Sequence, residues 1–178
     1  MSTFNTSHLA GLTPREAVAD VIYRATSAFD QADATLLDSA LMEDAVMTVG
    51  DRPPFTGRAA IRADCWGPVS RLDTVHLASN IRVRFHSDAD ANDRETANEA
   101  EANMATVTAN FQANHYRAGE GMRPDAGGFT TGGTYELECV RDDEDGGLWK
   151  AASWVVHLTW VLGDPSVMTS GAAEENKQ

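Results

Sequence analysis

Cysteine is scarce in this chain. There are two, Cys65 and Cys139, too few and too far apart for a disulfide framework, so both are expected as free thiols. Positive charge is scarce as well. Fourteen Lys and Arg stand against 27 Asp and Glu, a net charge of −13 at pH 7. A nucleic-acid backbone needs a cationic stripe, so no nucleic-acid partner is expected. The surplus acidity favours solubility instead. No apolar run approaches the roughly 20 residues of a membrane span. The stretch Met1–Leu12 lacks the basic start and apolar centre of a secretory signal. A cytoplasmic chain with no membrane partner is therefore expected. HxH, HExxH and CxxC spacings are missing, as are GxSxG and a phosphate loop. No metal site is expected from the spacing, and no serine-hydrolase or nucleotide site.

What remains is enough for one domain. At 178 residues and 42% hydrophobic, the chain can bury a core and still enclose a cavity. Thr13-Pro14-Arg15-Glu16 reads as a capping box with proline at the first helical position. Val18, Ile22, Ala25 and Phe29 then recur at helical spacing, and Tyr23, Thr26, Ser27 and Asp30 form a second stripe. This helix is expected to end near Asp33, with a short second helix through Leu36, Leu37 and Leu41. Residues 45–49 read as a strand, 51–57 as a Pro-Pro loop, and 57–66 as a short helix.

Strands dominate the second half. Ile81, Val83 and Phe85 alternate with Arg82, Arg84 and His86, and residues 87–101 read as a solvated polar connection. In residues 102–116, Ala105, Val107, Ala109, Phe111, Ala113 and His115 share one face, which marks a sheet with one apolar side. Glycines suggest a long loop over 117–133, followed by strands at 134–141 and 148–162 around an acidic turn. Residues 1–12 and 164–178 are expected as flexible ends around a domain at 13–163. Helices first and then a meander of strands predicts an α+β fold, with helices on one face of a curved antiparallel sheet that encloses a pocket.

Three residues carry the expected chemistry. His115 lies on the apolar face, where desolvation keeps an imidazole neutral and able to act as a base. A neighbouring carboxylate would orient it. Asp30 sits where the helix dipole disfavours an anion, which hints at another use. His76 precedes a strand, in the kind of connection that often carries site residues. His86 is expected to face solvent, and the face of His157 is ambiguous.

These residues resemble a known group. Phe29-Asp30-Gln31-Ala32-Asp33 is similar to the end of the first helix in scytalone dehydratase, and Thr74-Val75-His76 to its T-x-H segment. Asn114-His115-Tyr116-Arg117 falls where that family has its second histidine, and Gly147-Leu148-Trp149-Lys150 resembles its last turn. More broadly the chain resembles the SnoaL-like group of NTF2-like folds, over roughly 14–163. The resemblance implies a cone-shaped barrel, a deep pocket, no cofactor and often a homodimer or homotrimer. It implies that Asp30 orients His115 and that the two work with His76 on a proton and a leaving water. The family's phenols fall at Phe29 and near Met47 or Thr48, which argues for a different substrate here. Thr134 and Glu136 fall near a polar pair of the family, whereas alternation puts Tyr135 and Leu137 on the opposite face.

The expected function is cofactor-independent proton abstraction from a small, largely apolar, carbonyl-bearing natural-product intermediate, giving dehydration, isomerisation or cyclisation. Tyr23, Phe29, Met47, Phe55, Trp66, Phe111, Tyr135 and Trp154 are the expected substrate contacts. The alternatives are a non-catalytic binding module and an epoxide hydrolase. The latter needs an Asp-Arg-Asp set, and no arginine is clearly placed on an inward face.

Overall fold

The computed structural model describes residues 9–86 and 98–173. The expected capping box opens helix α1 (Pro14–Asp30), with the Thr13 and Glu16 side chains each bonded to the other's backbone. Val18, Ile22, Ala25 and Phe29 are buried as expected. The helix stops at Asp30, not near Asp33. Ala32 takes a left-handed conformation (φ 52°), and the Asp33 N–H bonds back to the Ala28 carbonyl at 3.0 Å, a Schellman-type stop. Asp33 then caps helix α2 (Ala34–Ala40) by accepting from the Leu36 N–H at 3.0 Å. Leu41, expected in this helix, opens the first strand.

Six strands form one sheet in the order β2-β1-β6-β5-β4-β3. They are β1 (Leu41–Val49), β2 (Phe55–Thr56), β3 (Asp73–His86), β4 (Met104–Tyr116), β5 (Phe129–Asp142) and β6 (Leu148–Gly163). The β1–β6 pair is parallel and every other pair is antiparallel. The helices pack on one face, where Leu37, Leu41, Phe85, Val107 and Leu137 are fully or almost fully buried. The expected α+β arrangement is therefore present. The β4 alternation holds throughout: Ala105, Val107, Ala109, Phe111, Ala113 and His115 are all buried. Residues 87–97 of the expected polar connection lie outside the described residues, as do 1–8 of the expected flexible N-terminus.

Several boundaries differ from expectation. Between β2 and β3 runs a helical stretch, α3 (Arg58–Ala60), a π-wound segment (Ile61–Trp66) and α4 (Gly67–Val69). The Gly67 N–H bonds to the Arg62 carbonyl, the five-residue step of a π-turn. The expected loop over 117–133 ends at 128, because Gly132 and Gly133 are strand residues. A Cβ on Gly133 would lie 1.9 Å from the His157 carbonyl oxygen, and one on Gly132 would meet the Trp160 indole at 2.3 Å. Both are glycine to admit close neighbours, at the point where β6 carries one extra residue opposite them. Within the expected frayed tail, helix α5 (Ser166–Ala173) forms instead, and residues 174–178 lie outside the described residues. The helix is anchored by Val167, which is fully buried, and its side packs on α4.

Strand β3 contains the irregularity that matters most for the site. Its register against β4 shifts between Ser79 and Arg82, and Asn80 is left-handed (φ 54°). Alternation has period two, so one extra residue exchanges odd and even faces. Before the bulge, even-numbered Thr74, His76 and Ala78 face inward. After it, odd-numbered Ile81, Val83 and Phe85 do so.

Candidate active site

The register sets out the site rung by rung. Thr74 on β3 stands opposite His115 on β4, which stands opposite Phe129 on β5. On the next inward rung His76 stands opposite Ala113, then Thr131 and Val161. The two histidines are therefore diagonal neighbours, with ring centroids 5.4 Å apart and an edge-on arrangement.

Helix α1 packs across β3, and its stop at Asp30 aims that carboxylate at the strand. Asp30 Oδ1 lies 2.6 Å from His76 Nδ1, and Oδ2 accepts from the His76 backbone N–H at 2.9 Å. Strand and imidazole are held by one carboxylate. The Asp30–His115 pair expected from the resemblance is thus corrected to Asp30–His76. The reason is positional: β3 lies between the end of α1 and β4, so the carboxylate meets His76 first. The bulge at Asn80 is what turns His76 inward.

His115 is bonded elsewhere. Its Nδ1 lies 2.9 Å from the Thr74 hydroxyl, both residues being buried. Desolvation pushes the His115 imidazole down to about 4, helped by the His76 ring and opposed by the Asp30 charge. At neutral pH it is uncharged.

In front of the histidines lies a cavity of about 400 Å³, within the usual range for a small-molecule site. Six of the eight expected contacts line it: Phe29, Met47, Phe55, Phe111, Tyr135 and Trp154. Tyr135 settles the face of β5. It is 3% exposed and inward, and Leu137 shares that face, whereas Thr134 and Glu136 point outward. The Tyr135 ring stacks on Phe111 at 4.2 Å and meets Trp154 edge-on at 5.3 Å.

Two expected contacts are elsewhere. Tyr23 is half-exposed on the outer side of α1. Trp66 turns its indole N–H to the Ala28 carbonyl at 3.0 Å and pins the π-wound segment to α1. Among the other histidines, His86 is half-buried rather than exposed, with Nε2 2.6 Å from the Thr106 hydroxyl. His157 is exposed, 3.8 Å from Glu136. The cavity also has contributors the sequence reading missed. Arg52 and Asp64 also line it, both of them solvent-exposed. Arg24 is buried, but it is committed to Asp20 at 2.7 Å and to the Trp149 and Ser39 carbonyls, away from the cavity. Met168 and Thr169 of α5 and Thr131 of β5 complete the wall. Reading β5 back through its glycines would have found Thr131, since it shares parity with Tyr135. Cys65 also lines the cavity, and burial pushes its thiol up to about 12, so it is no thiolate nucleophile.

An imidazole clamped to a carboxylate, a second neutral imidazole beside it and an apolar cavity in front define a pocket protein equipped for proton transfer on an NTF2-like fold. Residues 10–155 match the SnoaL-like domain, and the chain belongs to that family. It is 38% identical over 156 residues to the terrestric acid biosynthesis cluster protein E of Penicillium crustosum, covering 88% of this chain and 90% of that one. Among solved structures it is similar to a scytalone dehydratase-like protein from Novosphingobium aromaticivorans, with TM-score 0.62, 20% identity and coverage of 83% and 85%. It is also similar to a type 3 hexachlorocyclohexane dehydrochlorinase from Novosphingobium barchaimii, with TM-score 0.62, 18% identity and coverage of 86% and 91%. These structural likenesses speak to the fold. No helix among the described residues is long and apolar enough to cross a membrane.

Proposed function

We propose that this protein is a cofactor-independent acid–base enzyme of secondary metabolism. It removes a proton from the carbon next to a carbonyl in a small, largely apolar intermediate. The observation that carries this reading is the Asp30–His76 clamp facing the cavity. With its Nδ1 proton held by Asp30, His76 presents Nε2 as the free lone pair. That nitrogen takes the substrate proton, and the electron pair of the C–H bond moves into the carbonyl as an enolate. The Asp30 carboxylate steadies the imidazolium that forms. If a hydroxyl sits one carbon further on, the imidazolium returns the proton to it, the C–O bond breaks, a C=C bond forms and water leaves. If the proton returns to a different carbon, the product is an isomer. If the enolate instead attacks an electrophilic carbon of the same molecule, the product is cyclic.

His115 complements His76 by staying neutral. With the Thr74 hydroxyl donating to Nδ1, its Nε2 carries a proton that can bond to a substrate oxygen. These contacts support His76 as base and His115 as donor, whereas the sequence suggested His115 as the base.

Proton abstraction can be read without the natural substrate. The probe is 2-tetralone, an apolar bicyclic ketone, in D₂O, with deuterium uptake followed by NMR. Wild-type protein is expected to accelerate uptake above the buffer rate. His76→Gln and Asp30→Asn are each expected to lower the enzymic rate by about 10²–10⁴-fold. Wild-type acceleration that both folded variants retain would refute His76 as the base. Binding of 2-tetralone with no acceleration would favour a carrier.

A further inference from the structure

On the same inward face of the sheet as the histidines, β5 carries a donor without an acceptor. Tyr135 is buried and lines the cavity, yet its hydroxyl has no hydrogen-bond partner among the described residues. Nor is that hydroxyl among the fully enclosed polar atoms that lack a partner, so its remaining exposure is to the cavity. Beside it, the Trp154 indole N–H is enclosed and also unpartnered among the described residues. Trp154 lines the same cavity, edge-on to Tyr135. Buried donors in folded proteins are nearly always paired, and each unpaired one is costly. The Tyr135 hydroxyl, open to the cavity and without a protein acceptor among the described residues, calls for a ligand that brings its own.

The Tyr135 ring is also held in place. It lies flat on Phe111, interplanar angle 4°. In the β4–β5 register Phe111 stands opposite Gly133, one inward rung closer to His76 than Tyr135 itself. The ring thus covers the inward rung that lies between Tyr135 and His76. Burial and the Asp30 charge push its ionisation far above the usual phenol range, so it remains a donor at any working pH.

We propose that Tyr135 forms an oxygen subsite that takes the carbonyl oxygen of the substrate and holds it as the enolate after His76 removes the proton. The ligand class is a cyclic or extended apolar molecule whose one strongly accepting oxygen is conjugated with the carbon that His76 deprotonates. The chemistry needs such a donor, because an enolate oxygen accumulates negative charge and preorganised donors aimed at it lower the barrier. Phe29 and Met47, which line the same cavity, carry no hydroxyl, and among the described residues Tyr135 is its single phenol. This inference rests on the proton-abstraction reading above, but it can be tested by binding alone.

Two probes share one ring and differ by one oxygen: pentafluorophenolate, which is ionised at neutral pH, and pentafluorobenzene. Binding of each is followed by ¹⁹F NMR titration of wild-type protein, Tyr135→Phe and Trp154→Phe. A hydrogen bond to a charged oxygen predicts that Tyr135→Phe weakens pentafluorophenolate by about ten-fold or more, with pentafluorobenzene unchanged. Trp154→Phe, which removes an enclosed N–H, is expected to leave that selectivity in place. Equal binding of both probes by wild type and Tyr135→Phe would overturn the subsite. So would an equal loss of both probes, which would make the hydroxyl a matter of cavity shape. Tetralone exchange without the selective loss sinks the subsite alone. The selective loss without exchange leaves the subsite standing and sinks the enzyme.

Discussion

His115 makes a thermodynamic statement that can be measured without any substrate. Its imidazole is held near 4 in the folded chain against an ordinary value of 6.5. The unfolded chain therefore binds a proton at higher pH than the folded one does. The stability tied to a neutral His115 is complete above pH 6.5 and is lost as pH falls from there to about 4. At about 1.4 kcal/mol per pH unit, this interval corresponds to about 3 kcal/mol, of which about 2 is gone by pH 5. Other histidines and the carboxylates add their own pH dependence, so the informative quantity is a difference between two proteins. Urea unfolding, followed by the fluorescence of buried Trp149 and Trp154, would be run from pH 7.5 to 4 on wild type and His115→Gln. Wild type is expected to lose about 3 kcal/mol more than the variant over that range. Nitrogen NMR of the His115 ring should show it neutral until about pH 4. Parallel stability curves, or an ordinary titration near 6.5, would refute the claim that burial and His76 keep this ring uncharged.

Three further outcomes follow from particular positions. Ala32→Gly should stabilise the chain by about 1 kcal/mol in thermal or urea unfolding, because a left-handed residue with a Cβ terminates α1 where glycine is unstrained. Cys65 should react with a disulfide reagent at pH 8 far more slowly than an unstrained thiol, since burial holds it up to about 12; fast labelling of the folded chain would contradict the packing around it. We also propose that the outer face of the sheet mediates self-association. Leu77 of β3 shares a rung with Gln112, Gly132 and Trp160, and Val75 one with Asn114, Thr130 and Leu162, so two pairs of exposed apolar side chains flank a polar centre on this face; exposed large apolar residues grouped on one face are a feature of interaction surfaces. Light scattering should report a dimer or trimer that Trp160→Glu converts to monomer, and a monomeric wild type would sink this idea.

Much of this architecture was legible in the sequence, for identifiable reasons. The capping box at Thr13 and the uninterrupted alternation of β4 are local signals, and both held because nothing tertiary competes with them. His115 and Tyr135 were placed by alternation alone, although for Tyr135 only the folded sheet decided which face was inward. The partner of Asp30 was not legible, because a helix end can reach either of two strands and only packing chooses between them. Arg24 looks like a surface residue until the Trp149 and Ser39 carbonyls receive it. Gly132 and Gly133 suggest a loop by composition, yet they are needed for close packing inside a sheet. Helix α5 was missed because its small and polar residues carry little periodic signal, and a single side chain, Val167, anchors it.

The extra residue at Asn80 has a consequence for how this strand can change over time. It acts as a phase shifter between two stretches of one strand. The half that carries Thr74 and His76 answers to the chemistry, and the half that carries Val83 and Phe85 answers to the hydrophobic interior. Each can drift without dragging the other's inward set out of step. Deleting Asn80 would remove that independence at a stroke. The strand would have to choose between presenting His76 to solvent and presenting Phe85 to it, so a chain with intact composition would lose either its reaction or its core.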